Sequence, residues 1–395
     1  MSKKLFLIGL FFFGVSSCAT AVLSPFPKEV GLQLHEDEKR LWSRSEEEQK
    51  NLDRSGHIYE DPVLVAYLND VAQRLIPETV KGKGISFRIK VIKNPLVNAF
   101  AFPNGGIYVH TGFLAKMENE AQLATVLAHE ITHVTHRHAV QQFRNVSNTA
   151  AFVTTLGVIA AQAGRYGNIA NILGSIGAMA AVSGYSRALE EEADREGLDL
   201  LINAGYDPEE SVRLFDRVQR YVEEEKIEEP FFFGSHPRLQ ERKESYAQLL
   251  HNKYAERKGV KAADRFSNLV LLLLLDNALL DLSRGRFSLA KEAIDKVLQR
   301  EPKNARAHYY LGEVFRQRGE EGDVEKGEAE YLVAAQYDSS YPDPHKALGL
   351  IYLKQGKSRK AREAFEQYLF LSPQAQDRPY IEQYLEDLKR KGEGK

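Results

Sequence analysis

Ala124-Thr-Val-Leu-Ala-His-Glu-Ile-Thr-His-Val-Thr-His-Arg-His138 decides how the rest of this 395-residue chain is read. The apolar, alanine-rich run predicts a helix. His129 and His133 are four apart, so a helix sets both imidazoles on one face, about 6 Å apart along its axis. Two rings so placed can close on one tetrahedral Zn²⁺ at about 2.1 Å each. Glu130 follows the first ring and can reach a metal-bound water as general base. A catalytic zinc takes three protein ligands and keeps one position open, so a third ligand must come from elsewhere. His136 lies roughly 10 Å along the axis from His129, too far for one metal to span. A metzincin would carry Gly at 136 and His at 139; His136 and Ala139 exclude that class.

The third ligand is expected from Tyr185-Ser-Arg-Ala-Leu-Glu-Glu-Glu-Ala-Asp-Arg-Glu-Gly197. Ala188, Leu189, Ala193, Gly197, Leu198 and Leu201 make a helical apolar stripe. Glu190 and Asp194 share a face. Glu190 can ligate while Asp194 accepts a hydrogen bond from a ligating imidazole. Glu191 and Glu192 read as solvated charges, and the alternative for the whole run is an exposed acidic helix.

These residues resemble a family. His129 to His138 fits the HExxHxxxRH helix of the CAAX-prenyl-protease/HtpX-type gluzincin metallopeptidases, and Leu189 to Asp194 fits their ExxAD helix. The resemblance implies zinc held by His129, His133 and Glu190, Glu130 as general base, and Asp194 as a supporting carboxylate. Arg137 and His138 match the tail of the first motif, with a structural role implied. Asn98 to Gly112 resembles the strand pair before the active helix, and Ser235-His-Pro-Arg-Leu-Gln-Glu-Arg242 resembles the SHPxxxxR segment. These matches span roughly residues 55–250, in the family's order. His236 is then expected near the metal with Arg242 close by. Either could stabilise a tetrahedral oxyanion, or His236 could fill the open position and hold the enzyme latent.

The residues between agree. Phe87, Ile89 and Val91 alternate with polar positions as in a half-buried strand. Asn98–Phe102 and Ile107–His110 flank Pro-Asn-Gly-Gly, a hairpin turn signal. A strand edge at Asn98, Ala99 and Phe100 is the expected seat for an extended substrate backbone, with ordinary hairpin packing as the alternative. Hydrolysis of a peptide bond is the implied chemistry.

At the start, Lys3 and Lys4 precede an apolar run from Leu5 to Val15 and then Ser16-Ser17-Cys18. This reads as a secretory signal, too short to span a bilayer. Its end resembles a bacterial lipobox, which implies acylation of Cys18 and attachment to the outer membrane facing the periplasm. With one cysteine in the chain, no internal disulfide can form. A net charge of −2 leaves no nucleic-acid footprint.

A helical repeat follows. Ala290, Ile294, Val297 and Pro302, then Leu311, Gly312, Phe315, Gly327, Tyr331 and Ala334, then Leu348, Gly349, Tyr352, Ala361, Phe365, Tyr368 and Pro373, fit tetratricopeptide positions. The 37 residues from Gly312 to Gly349 exceed the usual period of about 34. An insertion at Glu320–Asp323 accounts for the excess, and Tyr380 to Leu388 reads as a cap. Ala150–Gly184 reads as a buried helical hairpin or a membrane-touching surface element. The acidic run 223–229 leads into Phe231-Phe232-Phe233, placed to cover the site.

The expected fold is mainly α with a small β-sheet: a zincin-like metallopeptidase domain, then an α-solenoid of tetratricopeptide-like repeats. Its parts are a signal peptide (1–18), an N-terminal linker or helical segment (19–54), the peptidase domain (55–250), a linker (251–266) and the repeats (267–390). The combination resembles periplasmic BepA-type quality-control proteases. That implies unfolded or misassembled proteins as substrates and outer-membrane barrel-assembly machinery as a partner of the repeats. The alternative is a chaperone or scaffold lipoprotein with little proteolysis.

Overall fold

The computed structural model describes residues 23–26, 32–147, 173, 175–180, 185–224, 239–255 and 257–393. Helix α4 (Glu120–Thr135) is its axis. The Asn119 side chain caps it by accepting from the Gln122 amide at 3.0 Å. All 16 residues of α4 are buried, so the helix is enclosed on every side, with its polar residues, His129, Glu130 and His133 among them, buried too.

Around α4 lie α2 (Pro62–Leu75), α7 (Arg187–Asn203), α8 (Glu209–Glu224) and a three-stranded sheet. The sheet runs β1 (Arg88–Ile92), β3 (Gly106–His110), β2 (Ala99–Ala101), with β1 parallel and β2 antiparallel to β3. The expected hairpin is present: Phe102 N–H donates to the Gly106 carbonyl at 2.8 Å, and Gly105 takes φ +96° in the turn. Alternation then sorts the two faces. Ala99, Ala101, Ile107 and Val109 join the core under α4, whereas Phe100, Phe102 and Tyr108 face a second cluster with Leu41 and Leu52. Those two leucines belong to α1 (Glu36–Arg54). Leu173, Ile176, Ala178 and Ala180 complete that layer; Ser175–Ala178 form a single short turn, α6. Apart from 173 and 175–180, the Ala150–Gly184 stretch lies outside the described residues.

α9 (Leu239–Lys253) packs on α7 and α8, and the chain then turns into the repeats. Three helix pairs follow: α10 (Ala263–Leu282) with α11 (Phe287–Arg300), α12 (Ala305–Arg318) with α13 (Asp323–Tyr337), and α14 (Asp343–Lys354) with α15 (Ser358–Leu371). α16 (Arg378–Glu393) caps them, and the extra residues before α13 form a turn with Gly319 and Gly322 at positive φ. Gly312 and Gly349 mark the tightest crossings. A Cβ at either would lie 2.5 Å from the facing ring, Tyr331 or Phe365. α10 also touches α2, α4 and the short α3 (Thr111–Lys116). Phe266, Val270 and Leu273 thereby share one continuous core with Leu127 and Ile131 of α4.

Candidate metal centre

α4 and α7 cross closely at one point. A Cβ on Gly197 would sit 3.1 Å from the His129 backbone nitrogen, so glycine lets α7 approach there. That approach brings Glu190 to the two histidines. His129 Nε2 lies 3.0 Å from His133 Nε2, 3.3 Å separates His129 Nε2 from one Glu190 oxygen, and 3.4 Å separates His133 Nε2 from the other. Ligands at about 2.1 Å in a tetrahedron stand about 3.4 Å apart, so this spacing fits zinc. All three are at most 2% exposed, and a buried carboxylate between imidazoles needs a cation or a proton. Among the described residues they form the one group of three or more His, Cys, Asp or Glu able to hold a metal.

Behind His129 stands a fully buried charge network. Its Nδ1 lies 3.0 Å from Asp194 Oδ1. Arg242, on α9, donates to both Asp194 oxygens at 3.0 and 2.5 Å, and Tyr246 donates to Oδ1 at 3.4 Å. Arg242 also comes within 3.2 Å of His129 Nδ1. Both are donors once Nε2 faces a metal, and their closeness is explained by a shared aim at Oδ1. Phe215 lies beneath the guanidinium at 5.3 Å. Burial would raise the Asp194 carboxyl, but the Arg242 charge and the His129 contact hold it below the usual range. Burial and Arg242 oppose a proton on His129. The hydrogen bonds to Asp194 and Glu190, with the Glu190 charge, outweigh them and raise the ring to about 9.

Behind His133 the partners are different. Its Nδ1 lies 2.8 Å from Nδ1 of His138, whose Nε2 is 3.4 Å from a Glu192 oxygen. Tyr185 stacks on the His133 ring with centroids 4.1 Å apart. Burial, then the neighbouring His133 and His136, push His138 down to about 2. Glu192 is therefore not a simple solvated charge; it is half-buried against the first motif. Sequence reasoning missed Tyr185 and the contacts of His138. The one available signal was that Tyr185 begins the stretch carrying Glu190.

Glu130 is buried beside the ligands. Burial and the Glu190 charge push it up to about 7, against the pull of His129 and Arg242. Arg242 does not take the place expected of an oxyanion partner. Its fork sits on the Nδ1 side of His129, held by Asp194, because a buried guanidinium needs a carboxylate. Asn98, Ala99 and Phe100 are buried, and Phe100 stacks on Tyr108 at 5.5 Å. A substrate seat there would rest on the backbone of β2, an edge strand. His236, Phe231–Phe233 and Cys18 lie outside the described residues.

Residues 63–249 match Peptidase family M48, and residues 275–342 match the tetratricopeptide repeat. The chain carries an M48 peptidase domain followed by tetratricopeptide repeats. It is 33% identical over 164 residues to the Beta-barrel assembly-enhancing protease of Escherichia coli K12, covering 40% of this chain and 34% of that protein. The protein of that name from Yersinia pestis is 30% identical over 173 residues, covering 41% and 35%. The Mitochondrial metalloendopeptidase OMA1 of Arabidopsis thaliana is 31% identical over 137 residues, covering 34% and 26%. The match to the barrel-assembly-enhancing proteases thus spans about a third of their length. Members of family M48 are zinc-dependent metallopeptidases, and the residues that match the family include His129, His133 and Glu190. No helix among the described residues is long and apolar enough to cross a membrane.

Proposed function

We propose that this chain is a zinc metalloendopeptidase of the periplasm, acting in quality control or assembly of outer-membrane proteins. One observation carries the catalytic part: Glu130 is buried beside three converging ligand groups, a placement that a purely structural metal site does not need. His129, His133 and Glu190 hold the metal. Bound there, zinc lowers the pKa of water and polarises a carbonyl. Glu130 takes the proton of the attacking water and passes it to the leaving amine. Asp194 holds the Nδ1 proton of His129, and Arg242 fixes Asp194 in turn. The β2 edge at Asn98, Ala99 and Phe100 receives the substrate backbone, and His236 acts at the open side of the metal.

The client class rests on resemblance to relatives named for β-barrel assembly. The repeats recruit partners or clients, since stacked helix pairs present an extended protein-binding surface. Attachment through an acylated Cys18 follows from the lipobox-like Val15-Ser16-Ser17-Cys18.

The test is Glu130→Gln in the full chain, with zinc content measured beside casein cleavage. Cleavage should fall by about 10²–10⁴, with zinc retained and the wild-type activity abolished by a chelator. Equal cleavage by the variant rejects the mechanism. Full biological rescue by an inactive variant favours the scaffold alternative.

A further inference from the structure

We propose that His138 is a positioning residue: its Nδ1 accepts the Nδ1 proton of His133 and so fixes the tautomer that turns His133 Nε2 to the metal. The inference rests on the zinc reading above and goes beyond it, since it concerns what holds a ligand in place.

Two imidazole nitrogens 2.8 Å apart share one proton, so one must donate and the other accept. His133 Nε2 faces His129 and Glu190 and has to present a lone pair there. Its Nδ1 therefore carries the proton, and His138 Nδ1 is the acceptor. That leaves the remaining proton of His138 on Nε2, which faces Glu192 at 3.4 Å. Each hydrogen position along the line from Glu192 through His138 to His133 is thus determined by the metal end. Ligating histidines usually donate to a carboxylate, a carbonyl or water; here a buried neutral imidazole takes that place.

The backbone supports the assignment independently. Between α4 and α5 (His138–Ser147) the chain passes through Arg137 at φ +59°, a left-handed conformation that costs a non-glycine residue about 1 kcal/mol or more. It is held there from outside the motif. Arg137 Nε donates to Glu38 of α1 at 2.7 Å, a second nitrogen pairs with the other Glu38 oxygen, and the guanidinium lies 5.2 Å over the Phe26 ring. The turn delivers the next residue, His138, back against the face that carries His133. An ordinary continuation of α4 would carry position 138 away from that ring, because residues five apart do not share a helical face.

The experiment compares His138→Asn, His138→Gln and His138→Leu in the full chain. Asparagine puts an amide oxygen near the place of Nδ1, whereas glutamine reaches toward Nε2 and leucine offers no acceptor. Zinc affinity is read by competition with a chelating dye, and the visible spectrum of the Co²⁺-substituted protein is recorded. The Gln and Leu variants should bind zinc about 10–100-fold more weakly, with an altered Co²⁺ spectrum, and Asn should recover most of the affinity. The metal-free melting temperatures of Asn and Leu should differ little. Wild-type affinity in both Gln and Leu overturns the inference, as does an Asn variant no better than Leu. A change in metal-free stability alone would assign His138 a structural role and overturn it too. If Leu does not fold, the Gln–Asn contrast decides. A wild-type chain that binds no zinc rejects the underlying metal reading, a separate result.

Discussion

Behind His129 stands a buried carboxylate clamped by a buried guanidinium; behind His133 stand a neutral imidazole and a tyrosine ring. The two ligands are four residues apart on one helix, yet their supports come from different parts of the chain. Asp194, Arg242 and Tyr246 belong to α7 and α9, far along the sequence, whereas His138 is five residues from His133. The first support is charged and obligatory, because each charge in it is buried against the other. The second is neutral: its hydrogen bond is made locally by His138, and its ring contact by Tyr185 just before α7. The contrast teaches that one metal can be held by an ion-paired brace on one side and a neutral, hydrogen-bonded one on the other, with unequal tolerance to substitution.

The largest expected effect breaks the charged side. Asp194→Ala removes the carboxylate to which two nitrogens of Arg242 donate, and a buried pair broken in this way typically costs about 3–5 kcal/mol. Chemical denaturation should show that loss, with zinc affinity falling as well. Asp194→Ala combined with Arg242→Met should be less damaging than the sum of the single changes, because the pair acts as a unit. Additive losses would mean that the two residues do not brace His129 together.

Proton competition sharpens the same contrast. His129 is raised to about 9, while His138 is pushed down to about 2, so the proton that rivals the metal sits on the charged side. Below pH 9 zinc affinity should fall by about tenfold per pH unit on account of that proton. In the metal-free chain the sign reverses. A group whose pKa is raised in the fold stabilises it fully below the unfolded value of 6.5, and loses that contribution as pH rises through about 9. Glu130, raised from 4.5 to about 7, acts in the same direction at lower pH. Below pH 6.5 the depressed His138 and His110 act in the opposite direction, so melting curves of metal-free protein should shift down between about pH 7 and 9. A metal-free stability that climbs over that range would contradict the assignment.

A smaller effect is expected at the crossing itself. Gly197→Ala puts a methyl 3.1 Å from the His129 backbone nitrogen and 3.2 Å from its Cα, where the neighbours are helix backbone and give way only by moving α7. Overpacking of this kind costs about 1–3 kcal/mol. Glu190 sits two turns away on the moved helix, so zinc affinity should drop with stability. A variant as stable as the wild type, with unchanged affinity, would show that α7 has slack.

How much of this was legible depends on whether a periodic signal existed. HExxH and the Glu190–Asp194 pair are helical spacings, and the structure places those side chains together. The hairpin was legible from Pro103-Asn104-Gly105-Gly106, and the repeats from Gly312 and Gly349. What lay hidden was tertiary. The partner of Arg242 was not readable from the segment carrying Arg242, since Asp194 is 48 residues away. The polar 251–266 stretch reads as a spacer, yet Gly259 is pressed against the Tyr206 backbone and Phe266 lies in the peptidase core. A clue was present: the run Leu269–Leu275 is apolar all round, as a helix covered on two sides must be. His138 was visible as a motif residue but not as a partner, because its approach to His133 depends on the left-handed turn at Arg137.

The mildest test concerns the neutral side. Tyr185 stacks on His133 at 4.1 Å with an interplanar angle of 21°, and meets His138 edge-on at 6.0 Å. Such ring pairs contribute about 0.5–1.5 kcal/mol beyond their buried area. Tyr185→Leu should accordingly weaken zinc binding by roughly 2–12-fold, since about 1.4 kcal/mol is a factor of ten. Tyr185→Phe keeps the ring and should stay within about twofold of the wild type. Competition titration of both variants reads the difference directly. If Phe falls as far as Leu, the hydroxyl is the active part, and the His133 side would hold a second polar anchor beside His138. The neutral side would then rest on two hydrogen-bonding groups, His138 and Tyr185, in place of one hydrogen bond and a ring contact.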